Sequence, residues 1–314
     1  MEAIEQCHLC KATAFKVLFE QQDLFLESGQ TFTVQQCQSC KLVSLNPRPG
    51  DGELMTFYPD TYVAYTRPLQ DEVNAIAKKD RGYGLYKRIK FIEKYIQGGR
   101  ILDVGCATGS FLEACGQYWQ KQPSQWQLYG IEPNEHAAQI AQKASRADIQ
   151  IGMLEAAHYP DHFFDVVTLW DVLEHVYEPR DTLVEIRRIL KPQGVLVFSL
   201  PNLDSWDAAI FGKYWVGYDV PRHMHVFSQK TLNMLLSQAH FKQIGKANVA
   251  GSHFYFFTCI LFYLRATRPD HWFSAFVERI HTNILLRLLV APYFFLSDHF
   301  VKSTTVTYVC RPHG

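Results

Sequence analysis

Four cysteines stand in two C-x-x-C pairs, Cys7 with Cys10 and Cys37 with Cys40, separated by 26 residues. Two tight turns at this spacing bring four thiolates tetrahedrally around one zinc, with every position filled and none open for catalysis. The stretch between them suits a ribbon, because Phe15 to Phe19 and Thr31 to Gln35 alternate like short strands around a turn containing Asp and Gly. Two rival readings are a thioredoxin-like redox pair, which wants a following helix, and disulfides, which a cytoplasmic chain disfavours. His8, inside the first knuckle, reads as a bystander to a complete four-thiolate shell. Cys106, Cys115, Cys259 and Cys310 are scattered and read as small core residues.

The second group with chemical potential is Ile101-Leu-Asp-Val-Gly-Cys-Ala-Thr-Gly-Ser110, a glycine-containing turn that lets a ligand approach the backbone closely. A dinucleotide fingerprint needs G-x-G-x-x-G, but here Ala107 sits between Gly105 and Gly109, and Asp103 lies inside the strand. An interior carboxylate repels a diphosphate and tolerates a ligand with a cationic sulfonium and an amino group. Glu132, in Gly130-Ile-Glu-Pro133, can accept both hydroxyls of a ribose. Further on, Asp171, Glu174 and His175 fall at i, i+3 and i+4, so a helix starting there would put them on one face. His175 is then either a general base oriented by a carboxylate or a satisfied histidine at a helix cap. The segment Trp206 to Phe227 is aromatic, long for a connection, and reads as a lid. In it Arg222 could clamp a phosphate or carboxylate, and His223 or His225 could serve as the base; the opposing reading is a hydrogen-bonded strut. Trp206, Tyr214 and Trp215 are expected to pack the lid rather than stack on a substrate.

These groups need a scaffold, and the pattern supplies one. Leu85, Ile89, Ile92 and Ile96 mark a helix stopped by Gly98-Gly99. Ile101 to Val104, Gln127 to Ile131, Ile149 to Ile151, Val166 to Leu169 and Val195 to Leu200 are short apolar runs alternating with helical stretches. That rhythm predicts βαβ units and a parallel sheet, hence an α/β chain. The expected division is a zinc ribbon at 1–45, a linker and helical approach at 46–98, a Rossmann-like domain at 99–251, a hydrophobic helical insertion at 252–300 and a terminal strand at 301–314. The runs Phe254 to Leu264 and Ile284 to Leu296 are too short to span a bilayer. They are expected either to pack on the sheet or across a homodimer interface, or to lie in one membrane leaflet. The 31 basic residues balance 31 acidic ones, and 47% of the chain is hydrophobic, which excludes wholesale disorder and removes the electrostatic case for nucleic acid. Met1 to Ala14 shows no secretory pattern, so the expected location is cytoplasmic, membrane-peripheral if the greasy runs touch lipid.

Taken in order, Asp103-Val-Gly-Cys-Ala-Thr-Gly109, Gly130-Ile-Glu132, Phe164-Asp-Val-Val167, Asp171-Val-Leu-Glu-His175 and Leu190-Lys-Pro-Gln-Gly-Val-Leu196 resemble class I S-adenosylmethionine-dependent methyltransferases over roughly residues 85 to 250. The resemblance implies a Rossmann-like sheet with helices on both faces, and S-adenosylmethionine as cofactor. It assigns Asp103, Gly105, Cys106, Ala107 and Gly109 to the turn that cradles the methionine part and Glu132 to the ribose. It further assigns Met153 and Leu154 to the border of the adenine, with Asp171 at the edge of the pocket. A four-cysteine module ahead of such a domain also resembles the sugar C-methyltransferases of bacterial deoxysugar pathways. The Asp171 to His175 motif resembles that of ubiquinone-pathway O-methyltransferases, in which a similar cluster binds a divalent ion, here Asp171, Glu174 and His175 with Mg or Mn. The expected function is methyl transfer to oxygen or carbon of a small molecule, a nucleotide-linked sugar or a lipid-linked glycan. The competing expectations are a zinc-ribbon adaptor on a non-catalytic Rossmann-like domain and a nicotinamide-dependent oxidoreductase.

Overall fold

Short apolar runs that cannot fill a helix become sheet here, and alternate residues in them serve opposite faces. In strand β4 (Gly99–Val104), Ile101 faces one core and Leu102 the other. The computed structural model describes residues 1–26, 29–50, 52–59, 62, 65, 75–121, 125–249, 252–267 and 284–313. Most of the expected approach at 60–74, and residues 268–283 of the expected insertion, lie outside the described residues.

The chain opens with β1 (Phe15–Gln22), β2 (Thr31–Cys37) and β3 (Val43–Leu45), an antiparallel meander. Helix α1 (Ala75–Ile92) leads into β4. Alternating elements follow: α2 (Ser110–Tyr118), β5 (Trp126–Glu132), α3 (Glu135–Ala144), β6 (Asp148–Ile151), β7 (Phe164–Trp170), α4 (Pro179–Ile189) and β8 (Leu190–Pro201). Beyond β8 come α5 (Trp206–Phe211), β9 (His225–Val226), α6 (Gln229–Gln238) and β10 (Phe241–Ala247). Helices α7 (Ser252–Thr267) and α8 (Ile284–His299) precede the last strand, β11 (Thr305–Pro312).

The main sheet has seven strands in the order β10-β11-β8-β7-β4-β5-β6. Five run parallel as expected, but β11 is antiparallel to both β8 and β10, so the sheet is mixed. One face packs Leu102, Val167, Leu196 and Phe198 beneath α4 and α6, through Leu183, Ile186, Leu232 and Leu235. The other packs Ile101, Val166 and Val197 beneath α1 and α2, through Ile89, Ile92 and Phe111. Each such fully buried aliphatic side chain contributes about 1.5–3 kcal/mol. This is a Rossmann-like fold with helices on both faces. Strand order reverses between β4 and β7, and ligands bind such sheets at the carboxyl end of that reversal.

The N-terminal strands are woven into the rest of the chain. These three strands are completed by β9, which pairs with β3 through Ser44 opposite His225 and Val43 opposite Val226. Cys7, Cys37, Cys40 and Leu9 join the same apolar core as the sheet. A third core gathers Phe32, Val34 and Leu45 of the ribbon, Trp215, Val216 and Val220 of the expected lid, and Cys259 and Phe262 of α7. The lid is therefore an interior layer: Trp215 is 1% exposed and Met224 fully buried. Among the described residues no helix is long and apolar enough to cross a membrane.

Candidate active site

At the end of β4 the backbone turns through left-handed conformations at Gly105 (φ 69°), Ala107 (φ 47°) and Gly109 (φ 75°). A Cβ on Gly105 would lie 2.8 Å from a Val172 methyl, and one on Gly109 2.9 Å from the Ala141 Cβ of α3, so both positions need glycine for space as well as conformation. Gly109 also precedes the first turn of α2, aiming its free N–H groups at the crevice.

Two carboxylates frame this turn. Asp103 is 2% exposed, accepts a 2.6 Å bond from Thr168 Oγ1, and is pushed by burial to a pKa of about 7. Glu132, at the end of β5, accepts from the Ala107 N–H at Oε2 and the Asn134 N–H at Oε1, both at 2.9 Å. Asn134 caps α3 through Ala137 N, which fixes that corner. Burial raises Glu132, with the two N–H bonds opposing. Each Glu132 oxygen keeps a second lone pair for a ligand. After β6, Met153 is 48% exposed while Leu154 is 3% exposed and joins the core, so of these two only Met153 is an open wall. Cys106 is also buried.

One feature here has no local signal in the sequence. Arg88 of α1 lies over the Trp170 ring at 4.5 Å and, among the described residues, has no hydrogen-bond or ion-pair partner. The buried Trp170 Nε1 has none either. Two unanswered donors thus meet at the carboxyl end of β7, where Arg88 also opposes the raised pKa of Asp103.

The segment 171–178 is a run of turns rather than the helix assumed for Asp171, Glu174 and His175; α4 begins only at Pro179, whose ring suits a first helical turn. Asp171 has φ 55° and its carboxylate is engaged, accepting from Ser199 Oγ at 2.9 Å and from Tyr255 of α7 at 3.1 Å. Asp171 is not among the groups whose ligand atoms gather with Glu174 and His175, although its charge reaches Glu174, so these three do not form the divalent-ion set that the resemblance allows. Glu174 and His175 instead meet His223, with polar atoms within 4.8 Å of one another.

Glu174 is 1% exposed, neither carboxyl oxygen has a hydrogen-bond partner among the described residues, and burial raises its pKa well above the ordinary range. A buried orphan carboxyl is rare in a finished protein and marks a place where something else binds. His175 Nδ1 lies 3.0 Å from the Arg222 carbonyl and 2.7 Å from the Tyr58 hydroxyl. A carbonyl can only accept, so we assign the proton to Nδ1, leaving Nε2 with its lone pair. Burial, reinforced by His223, takes the His175 pKa down to about 3, so the ring is neutral at pH 7. The His223 ring stands at 4.6 Å, edge to face, with Nδ1 2.9 Å from the Gly217 carbonyl. Tyr58, Tyr62 and Tyr65 form an aromatic wall beside His175.

Two expected site residues lie elsewhere. Arg222 is fully buried, with its guanidinium bound to Asp23 and Asp219 of the same chain, so it is a strut and not a free anion clamp. His225 is fully buried in β9, its ring 5.1 Å from that of His8 and its pKa lowered by burial to about 3.

The cysteine quartet is compatible with a bound zinc ion. Cys7 and Cys40 Sγ lie 3.5 Å apart, as do Cys10 and Cys37, and all four sulfurs are within 4.8 Å of one another. Each knuckle closes with an N–H bond, Lys11 to Cys7 and Lys41 to Cys37, the lysines adopting φ 61° and 72°. Burial works to raise Cys37, but the N–H groups of Cys40 and Ser39 outweigh it and lower the thiol to about 7, while burial raises Cys7 and Cys40.

Comparison with known proteins gives a match to the family described as a methyltransferase domain over residues 67–244. A ubiquinone biosynthesis O-methyltransferase of Pseudomonas entomophila is 30% identical over 152 residues, covering 45% of this chain and 63% of that protein. Its namesake in Alkalilimnicola ehrlichii is 30% identical over 142 residues, covering 43% of this chain and 55% of the relative. The chain thus spans less than two thirds of the curated relatives it matches. A solved SAM-dependent methyltransferase of Thermotoga maritima aligns with a TM-score of 0.41 and 23% identity, covering 52% of this chain and 73% of that one.

Proposed function

Since the chain belongs to the methyltransferase domain family, we propose that it moves the methyl group of S-adenosylmethionine to a small-molecule acceptor bound beside His175. The observation that carries this reading is the glycine turn held between Asp103 and Glu132. S-adenosylmethionine supplies an electrophilic methyl on a sulfonium. Glu132 takes the ribose hydroxyls on its spare lone pairs, and Met153 covers the adenine. Arg88 and the Trp170 N–H take the methionine carboxylate, which answers their missing acceptor. Asp103, raised by burial to a pKa of about 7, is drawn to its ionised form by a cationic ligand.

On the acceptor side, His175 Nε2 receives the proton of an acceptor hydroxyl or acidic C–H as that atom attacks in line, and Nδ1–H, held by Arg222 O and Tyr58, stays in place. Glu174, kept protonated by burial, donates a hydrogen bond to an acceptor oxygen. The tyrosine wall favours a flat or polyhydroxylated acceptor such as a quinol precursor or a sugar. Cys7, Cys10, Cys37 and Cys40 hold a structural zinc that takes no part in the chemistry.

Isothermal titration with S-adenosylmethionine tests the reading. Asp103→Ala and Glu132→Ala are each expected to weaken binding at least about 100-fold, as loss of a partnered buried charge does. Unchanged affinity in both would remove the proposed site. A pure adaptor would bind no S-adenosylmethionine at all.

A further inference from the structure

The acceptor side is built partly from the cysteine module, and the connection runs through one buried ion triad. Asp23, at the end of β1, lies 199 residues from Arg222, yet the two side chains are fully buried against each other. Arg222 Nη1 and Nη2 donate to the Asp23 carboxylate at 2.9 and 2.8 Å, while Nε and Nη2 donate to Asp219 at 3.0 and 2.6 Å. The planar fork therefore grips a carboxylate on each of two edges. Asp23 is itself fixed, since its Oδ1 accepts the N–H groups of Phe25 and Leu26, and the Phe25 ring lies under the guanidinium at 5.4 Å.

Asp219 is the hub on the other side. Its carbonyl accepts the N–H of both Arg222 and His223, and its carboxylate lies 3.9 Å from His223 Nε2. Burial opposes ionisation of Asp219, but the charge and hydrogen bonds of Arg222 outweigh it and hold the carboxyl below its ordinary pKa. The following backbone is clamped from both sides: Leu45 N–H of β3 donates to Met224 O, and the N–H groups of Met224 and His225 donate to Glu174 O. The same stretch that carries His223, and whose Arg222 carbonyl orients His175, is thus strung between ribbon and sheet.

We propose that Asp23 is a positioning residue for the acceptor site, holding Arg222 against Asp219 and through them the His223 ring and the Arg222 carbonyl that orients His175. This makes the cysteine module part of the transfer machinery; it rests on the reading of His175 as the base.

The test uses full-length Asp23→Asn, an isosteric change that removes one charge, with wild type and His175→Gln as references. All three are matched in metal content and in S-adenosylmethionine affinity by titration calorimetry, expected to agree within about twofold because the triad does not touch the glycine turn. Cells lacking the protein are complemented with each, and small molecules differing by one methylene are quantified by mass spectrometry. Asp23→Asn is expected to lower the methylated species at least about tenfold. In the purified variant the nitrogen-15 ring signals of His223 are expected to shift, a signature that a remote loss of stability would not produce. Wild-type methylation from Asp23→Asn, with His175→Gln inactive, overturns this inference and leaves the base reading standing; full methylation from both overturns both. Lost methylation with unmoved His223 signals also overturns it. Should the amide not fold, Arg222→Lys carries the same test, keeping the charge while losing the two-edged grip.

Discussion

Asp103 shows how a single side chain couples ligand chemistry to stability. Its folded pKa of about 7 exceeds the unfolded value of about 4, so the empty protein binds more protons than the unfolded chain between these limits. That residue's contribution is therefore full below about pH 4 and is lost as pH rises to about 7, by on the order of 4 kcal/mol at most. His175, lowered to about 3, acts in the opposite sense: stability falls as pH drops below about 6.5. The difference between wild type and Asp103→Asn isolates the first effect. Melting curves from pH 4 to 8 are expected to show the variant gaining relative stability as pH rises, with S-adenosylmethionine narrowing the gap; parallel curves would refute it. Gly109→Ala should cost about 1–3 kcal/mol, because its φ of 75° and the 2.9 Å approach to Ala141 both reject a methyl group, and a urea melt measures this. These residues were legible in the sequence because strand, turn and acid follow one another within 30 positions. Arg222 was not, since the partner that turns it from a clamp into a strut lies at Asp23, and no local pattern announces a pair so far apart.

Among the elements, those with clear periodicity were readable and those shaped by tertiary contacts were not. The parallel strands appear within a few residues of their expected places, whereas β10 carries Lys242, Gln243 and Gly245 on an exposed edge and shows little apolar signal. Strand β9 is two residues long, too short for any periodicity, and exists because β3 offers it an edge. The spacing of Asp171, Glu174 and His175 suggested a helix, but Asp171 is left-handed and tied to Ser199 and Tyr255, which turns the chain before Pro179. Helix α7 thereby reaches the site: Tyr255→Phe removes one hydrogen bond to a carboxylate and is expected to cost about 1.5–3 kcal/mol in a denaturant melt, less if water replaces the hydroxyl. The β3–β9 pairing gives a second expectation. In Cys37→Ser/Cys40→Ser, amide hydrogen exchange at residues 222–227 should rise with that of β2 and β3, while β5 stays protected. Equal protection of 222–227 in both proteins would show that the pairing stands without the cysteine cluster.

At the scale of the whole molecule, the ribbon, the segment after β8 and α7 share one apolar core, and the cysteines share another with the main sheet. On the proposed zinc site, chelation should accordingly lower the midpoint of a single calorimetric transition; a separate early melt would mean that the ribbon unfolds alone. The neutral charge balance and the α/β rhythm were enough to read the class of the chain, but its integration depends on contacts between its two ends, which composition does not encode. The same feature has a bearing on biosynthesis. Residues 1–45 leave the ribosome well before residue 226, and until then they lack a fourth strand and a counter-ion for Asp23. The ribbon is thus translated long before its final partners, and in the interval its unpaired β3 edge is a natural place for a chaperone to hold the nascent chain.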